Sequence, residues 1–126
     1  MPTGDAVVLT RLLAAFNAHD LDEIMQFFSD DCVLETPRGA HPWGTRFEGS
    51  TEVREGLAQR FRGVPDVRYS EDEHWLCDGH GVSMWLLTGT TAEGERIRVR
   101  GCDLFDLDPD GLIRRKDSYW KIVQQP

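Results

Sequence analysis

An aspartate interrupts the apolar face of a predicted strand at residues 96–107. Side chains alternate there between two faces, and the more apolar face consists of Ile97, Val99, Gly101, Asp103, Phe105 and Leu107. An ionised carboxylate in apolar surroundings costs several kcal/mol unless it is paired, hydrated or protonated, so Asp103 predicts polar groups beside it. A carboxylate that faces a pocket in this way could act as a general acid or base on a small molecule.

The turn after this strand predicts the neighbours of Asp103. With hairpin chemistry at residues 108–111, Asp103 lies opposite Lys116. Ser118 and Trp120 then share the inner face of the last strand. A register shift of one residue would replace Lys116 by one of its neighbours in the sequence.

A small-molecule pocket and a sealed core both fit this pairing. The turn at residues 92–95 places Met84 opposite Asp103 from the other side, and apolar walls with a few polar groups are typical of ligand pockets. In a sealed core, Asp103 and Lys116 would only satisfy each other. A buried ion pair is weak evidence for stability, which favours the pocket. We therefore predict Asp103 and Lys116 as the catalytic pair, with ligand contacts from Trp120, Ser118, Phe105 and Met84.

The hydrophobic periodicity predicts an α+β fold. A 3.6-residue period indicates helices at residues 5–18 and 50–61, and between them a second helix that begins with Asp20 as its N-cap. A short strand at residues 32–36 ends at a proline, and residues 37–49 form a predicted loop with apolar side chains. Within this loop Trp43 could cover the pocket, and His41 belongs either to the pocket mouth or to the surface.

After residue 65 the period changes from 3.6 to two. It predicts strands at 67–77, 82–91, 96–107 and 112–123, joined by short hairpin turns. Three N-terminal helices would then pack on a strongly curved, mainly antiparallel sheet, which forms a cone with an internal pocket. We expect residues 1–126 to be a single domain, because this length supports one hydrophobic core.

The composition excludes several classes of partner. The chain has 14 Lys and Arg against 22 Asp and Glu, a net charge of −8, which disfavours nucleic acid and anionic membrane surfaces.

Three cysteines do not make a disulfide framework, and no two of the four histidines have metal-ligand spacing, so we expect no metal and no cofactor. The first 16 residues lack the pattern of a signal peptide, which predicts a cytoplasmic protein.

The ordered motifs resemble those of a known superfamily. LLAAFNAHDLDEIMQFFSDDCVLETP, residues 12–37, combines a helix, an N-x-x-D junction, an F-x-x-D segment and a short strand that ends in Pro. F-x-G-x-x-x-V-R at residues 47–54 and D-x-F at 103–105 follow. This series is similar to that of the SnoaL-like and nuclear transport factor 2-like proteins, which include steroid Δ-isomerases and polyketide cyclases. The resemblance implies a cone-shaped α+β fold with a deep pocket, most often in a homodimer.

The resemblance also implies which chemistry to expect. Thr36 occupies the position of the steroid isomerases' general base, and Leu12 occupies that of their tyrosine donor. Asp103 matches only their second donor, so the polyketide cyclases, which use one aspartate as acid and base, are the better comparison. His41 or Glu35 could assist it. The family's epoxide hydrolases have an arginine where this chain has Gly101, which disfavours their reaction.

Two kinds of function therefore remain open. The first is an isomerase or cyclase that uses Asp103 on a small, largely apolar, carbonyl-bearing substrate. The second is a protein of the same fold that binds a small ligand without turnover, or a dimerising scaffold. The expected ligand contacts are completed by Thr36, Leu12, His41 and Trp43. Two further tryptophans, Trp75 and Trp85, are assigned to core packing or to a dimer face.

Overall fold

The computed structural model of the protein describes residues 6–124. Within that range the chain forms three helices and six strands. They are α1 (Ala6–Asn17), α2 (Leu21–Met25), β1 (Phe28–His41), β2 (Gly44–Glu48), α3 (Ser50–Gly63), β3 (Arg68–Cys77), β4 (His80–Thr90), β5 (Arg96–Leu107) and β6 (Ile113–Trp120). None of the helices in the described range is long and apolar enough to cross a membrane.

The strands form one curved sheet in the order β2-β1-β6-β5-β4-β3. Neighbouring strands are antiparallel, except that β1 and β6 run parallel. The predicted α+β architecture of helices on a curved sheet is confirmed.

The helices cover one face of the sheet, which we call the inner face. α1 packs on β3 and β4 and α3 on β1 and β2, and they bury one stripe of residues each, such as Leu9, Leu12 and Phe16 from α1. Asp20 caps α2 as predicted, accepting a hydrogen bond from the backbone of Glu23 at 3.1 Å. The other side, which we call the outer face, has no helix over it among the described residues.

The prediction of a loop at residues 37–49 is wrong. β1 continues to His41 and turns directly into β2, so the segment is largely a hairpin. Pro37 is tolerated because the β1–β6 pairing ends at Glu35 and the β1–β2 ladder is irregular after Thr36.

Both predicted registers around β5 are also wrong. Asp103 lies opposite Ser118 rather than Lys116, a shift of two residues that keeps Lys116 on the inner face. On the other side Asp103 pairs with Ser83, a shift of one residue that moves Met84 to the outer face opposite Cys102.

Candidate small-molecule site

A pocket of about 710 Å³ lies between the helices and the inner face of the sheet. Its apolar wall includes Phe16, Leu34, Tyr69, Trp85 and Leu87. Such a volume is typical of sites for small organic molecules.

Asp103 lies behind the pocket wall, and both of its carboxylate oxygens accept hydrogen bonds. It is 4% exposed, and its Oδ1 accepts from Lys116 Nζ at 3.1 Å and from Ser118 Oγ at 2.6 Å. Its Oδ2 accepts from the indole Nε1 of Trp85 at 2.9 Å. Lys116, Ser118 and Trp85 line the pocket, whereas Asp103 is not among the lining residues. The carboxylate therefore anchors three side chains that reach the pocket.

Lys116 brings a buried positive charge to the pocket wall. Its Nζ also donates to Ser118 Oγ at 2.8 Å and lies 5.2 Å from the centre of the Phe16 ring. Since an ammonium group has three N–H donors and the two bonds to Asp103 and Ser118 use two, a third remains for a ligand.

Gly101 explains how Trp85 reaches Asp103. The two residues are directly opposed in the β4–β5 ladder, and a Cβ at Gly101 would lie 2.5 Å from the Trp85 ring and 2.5 Å from the Tyr119 carbonyl oxygen. The indole therefore lies against bare backbone. The sequence assigned Trp85 to packing or to a dimer face, because its hydrogen bond depends on a register that the sequence did not reveal.

Tyr69 adds a second donor that sequence reasoning missed. Its ring lies edge-on to Trp85 with centroids 5.0 Å apart, and its hydroxyl has no hydrogen-bond partner within residues 6–124. Burial raises the pKa of Tyr69 well above its usual value, Arg60 opposes this rise, and Asp103 adds to it. The phenol thus stays protonated at neutral pH and can donate to a ligand.

The other predicted ligand contacts divide into three groups. Trp120 and Thr36 line the pocket, together with Ser118. Phe105 and Leu12 are buried in the hydrophobic core and are not among the lining residues. Met84 is exposed on the outer face.

His41 and Trp43 lie away from the pocket. They stack on each other at 4.9 Å in the β1–β2 hairpin, and the Arg46 guanidinium lies 4.4 Å from the centre of the Trp43 ring. Neither is among the lining residues: the two strands of the hairpin contribute to the pocket wall, for example through Thr36 and Phe47, whereas the turn that carries His41 and Trp43 does not.

Glu35 lies on the outer face, where it accepts hydrogen bonds from Arg46 and Arg115 at 2.8 and 3.0 Å. Burial raises the pKa of Glu35, but hydrogen bonds from these two arginines outweigh it and lower the pKa below its ordinary value. Arg115 also pairs with Asp117 at 3.2 Å. This network joins β2, β1 and β6 and does not reach the pocket.

Asp72, His74 and Ser83 form a second polar chain. The His74 ring nitrogens lie 2.7 Å from Asp72 Oδ2 and 2.7 Å from Ser83 Oγ, an order of groups also found in serine hydrolases. Ser83, however, is 2% exposed and does not line the pocket, so its hydroxyl meets no substrate there. Within residues 6–124 no cluster of His, Cys, Asp or Glu is arranged to hold a metal ion.

Comparisons with solved structures show the same fold. A putative polyketide cyclase from Pseudomonas putida KT2440 has a TM-score of 0.82 at 17% identity and covers 97% of this chain and 93% of its own. A putative polyketide cyclase from Xanthomonas campestris pv. campestris has a TM-score of 0.79 at 20% identity, with coverage of 93% and 90%.

A third similar structure is that of SalBIII, an epoxide hydrolase/cyclase-like enzyme of pyran ring formation in the polyether salinomycin. Its TM-score is 0.79 at 18% identity, and the match covers 94% of this chain and 91% of that one. At such identities these structures show a common fold. The model of the SnoaL-like domain matches residues 9–116, and the chain therefore belongs to the SnoaL-like family.

Proposed function

We propose that the protein binds a small, largely apolar carbonyl compound and stabilises negative charge on its oxygen, as an isomerase or cyclase would. The observation that carries the proposal is Lys116, a residue that is 7% exposed and whose ammonium group is held on the pocket wall by Asp103 and Ser118. A fixed charge in a water-poor site stabilises an enolate or alkoxide more strongly than the same charge does in water.

Tyr69 supports the same role for the pocket. Its protonated hydroxyl and the free N–H of Lys116 both belong to side chains of the inner wall. Two donors directed at one carbonyl oxygen form an oxyanion hole, which lowers the cost of removing a neighbouring C–H proton.

Asp103 acts through its neighbours in this proposal. Three donors occupy its carboxylate, so we give the charge-stabilising role to Lys116 and regard Asp103 as the residue that positions Lys116. This changes the role that the sequence suggested for Asp103 but keeps both residues in the site.

Binding without turnover is the second candidate. It is favoured by the lack of an evident base, because Thr36 replaces the isomerases' aspartate and Glu95 is the one carboxylate among the described lining residues. A binder and an enzyme would share the pocket and differ only in whether a bound ketone loses a proton.

The experiment uses two probes. 4-Nitrophenol, whose absorbance separates phenol from phenolate, should bind to the wild-type protein with a lowered apparent pKa, because Lys116 favours the anion. Lys116→Met should remove this preference. Arg114→Met is the matched control, since Arg114 is an exposed cation of β6 that does not line the pocket.

2-Tetralone in D₂O then separates the two candidates. An enzyme should accelerate exchange of the α-protons with deuterium, as seen by NMR, and Lys116→Met should lose the acceleration. Binding without exchange would favour the non-catalytic candidate. Binding of 4-nitrophenol without a pKa change, or an unchanged Lys116→Met variant, would contradict the proposed role of Lys116.

The outer face supports the homodimer that the resemblance implies. Trp75, Met84, Leu104 and Tyr119 are exposed there on four adjacent strands. Exposed apolar surface of this kind is typical of interfaces, and the neighbouring network of arginines and carboxylates offers both charges to an identical face. We propose a second copy of this chain as the occupant.

A further inference from the structure

The charges around the pocket point to the class of ligand. We propose that the ligand carries an anionic group, such as a carboxylate, that binds Arg60, while its apolar body extends towards Lys116. This inference rests on the proposed small-molecule function and deepens it.

The pocket has the opposite charge balance to the chain. The whole sequence has a net charge of −8, yet the described lining residues include one acid, Glu95, and six bases. The bases are Arg38, Arg60, Arg96, Arg98, Lys116 and Lys121. Of these, Lys116 is paired with Asp103. Arg96 and Arg98 border the pocket from β5 without sharing the inward alternation of Ile97 and Val99, so the unpaired inward positive charge comes mainly from Arg60. An electropositive cavity in an acidic protein concentrates anions and repels cations.

Ion pairing distinguishes Arg60 from the two other arginines of α3 that lie away from the pocket. Arg54 pairs with Asp22, and Arg62 pairs with Glu55. On the pocket wall Lys116 is paired with Asp103, but Arg60 has no carboxylate within 4.0 Å among residues 6–124. Of these three arginines of α3, the two that lie away from the pocket are paired with carboxylates, and Arg60, which lines the pocket, is available to bind an anion.

Arg60 is held in a defined position. Its guanidinium lies 4.5 Å from the centre of the Trp120 ring, an interaction that fixes the plane without using the N–H donors. The side chain is half-buried, so less water competes for those donors. A guanidinium with free donors binds a carboxylate through two parallel hydrogen bonds.

The other cations of the pocket wall are less suited than Arg60 to bind an anionic group. Arg96 and Arg98 alternate with the inward Ile97 and Val99, which directs them to the other side of β5. Arg38 is on the same side of β1 as the inward-facing Leu34 and Thr36. Its side chain is exposed to water, which competes for its donors, so Arg38 can only assist Arg60 in binding an anion.

The pocket offers a continuous path between Arg60 and Lys116. Arg60, Tyr69 and Lys116 all line this one pocket. A ligand that extends along Tyr69 can place a carbonyl oxygen near Lys116 and a carboxylate near Arg60.

A pair of matched probes tests the proposal. 4-Benzoylbenzoate carries a ketone and a carboxylate on an apolar body, and 4-benzoylbenzamide is its uncharged equivalent. In calorimetric titrations at low salt, the carboxylate should bind at least about tenfold more tightly than the amide, and this difference should shrink as salt rises. Arg60→Gln should remove most of the difference, whereas Arg11→Gln, an equal charge change at an exposed site outside the pocket, should preserve it.

Three results would overturn the inference. They are equal binding of the two probes, equal weakening of both by Arg60→Gln, and an effect of Arg11→Gln as large as that of Arg60→Gln. If the amide still binds in these cases, the proposed function survives and only the anionic class is lost. If neither probe binds, both proposals fail.

Discussion

The two faces of the sheet each bury a carboxylate beside cations, and the two sites differ in what those cations can reach. On the inner face Asp103 pairs with Lys116, whose side chain is 9% exposed and borders the pocket. On the outer face Glu35 pairs with Arg46 and Arg115, whose side chains are 39% and 42% exposed.

This difference separates a site from a structural clamp. Glu35 has two cations that can still reach water, so its network is satisfied without any ligand and joins three strands. Lys116 has a single counter-charge and a donor left over beside an apolar cavity. Burial of a carboxylate therefore does not identify a site; the surroundings of its cation do.

The largest effect is expected from Asp103→Asn. It leaves the Lys116 ammonium buried without a counter-charge, and breaking such a pair costs about 3–5 kcal/mol of unfolding free energy. Urea unfolding measures the loss. Adding Lys116→Met removes the unpaired charge, so the double variant should be more stable than Asp103→Asn alone; no recovery would show that the charge is not the cause.

Glu35→Gln is the comparison on the outer face. Because Arg46 and Arg115 remain solvated and Arg115 keeps Asp117, we expect a loss of about 1–2 kcal/mol. Equal losses at Glu35 and Asp103 would mean that burial of the carboxylate alone sets the cost, and the distinction between the two faces would fail.

Gly101→Ala is expected to destabilise the protein by a comparable amount on the inner face. The added Cβ meets the Trp85 ring and the Tyr119 carbonyl oxygen, and overpacking of this kind costs about 1–3 kcal/mol. Because Trp85 also donates to Asp103, probe affinity should fall with stability. Gly63→Ala, in the last turn of α3 with no atom within 4 Å of the new Cβ, should leave stability unchanged or slightly higher.

The alternation of β5 was enough to predict from the sequence that Asp103 points inward. Lys116 remained its partner because the error in the β5–β6 register was two residues, which preserves the face. Met84 moved to the outer face because the β4–β5 turn changes the register by one. Trp85, Tyr69 and Arg60 could not be recognised, since their approach to the pocket depends on how β3, β4 and α3 pack in three dimensions.

The smallest effect on the folded monomer is expected from Leu104→Arg. Leu104 is exposed at the centre of the outer face, so the monomer's unfolding free energy should change by no more than about 0.5 kcal/mol. A dimer closed through this face would place the new charges in apolar surroundings, and sedimentation velocity should then detect monomers. Leu112→Arg, an exposed leucine in the turn before β6, should leave the assembly intact. A monomeric wild-type protein, or a Leu104→Arg variant that still dimerises, would contradict the proposed interface.

The monomers produced by Leu104→Arg also test whether the two faces are independent. If these monomers still bind 4-nitrophenol with a lowered pKa, the outer face serves assembly and the inner face alone serves the ligand. If that binding is lost, the pocket depends on the dimer, and the two faces act together.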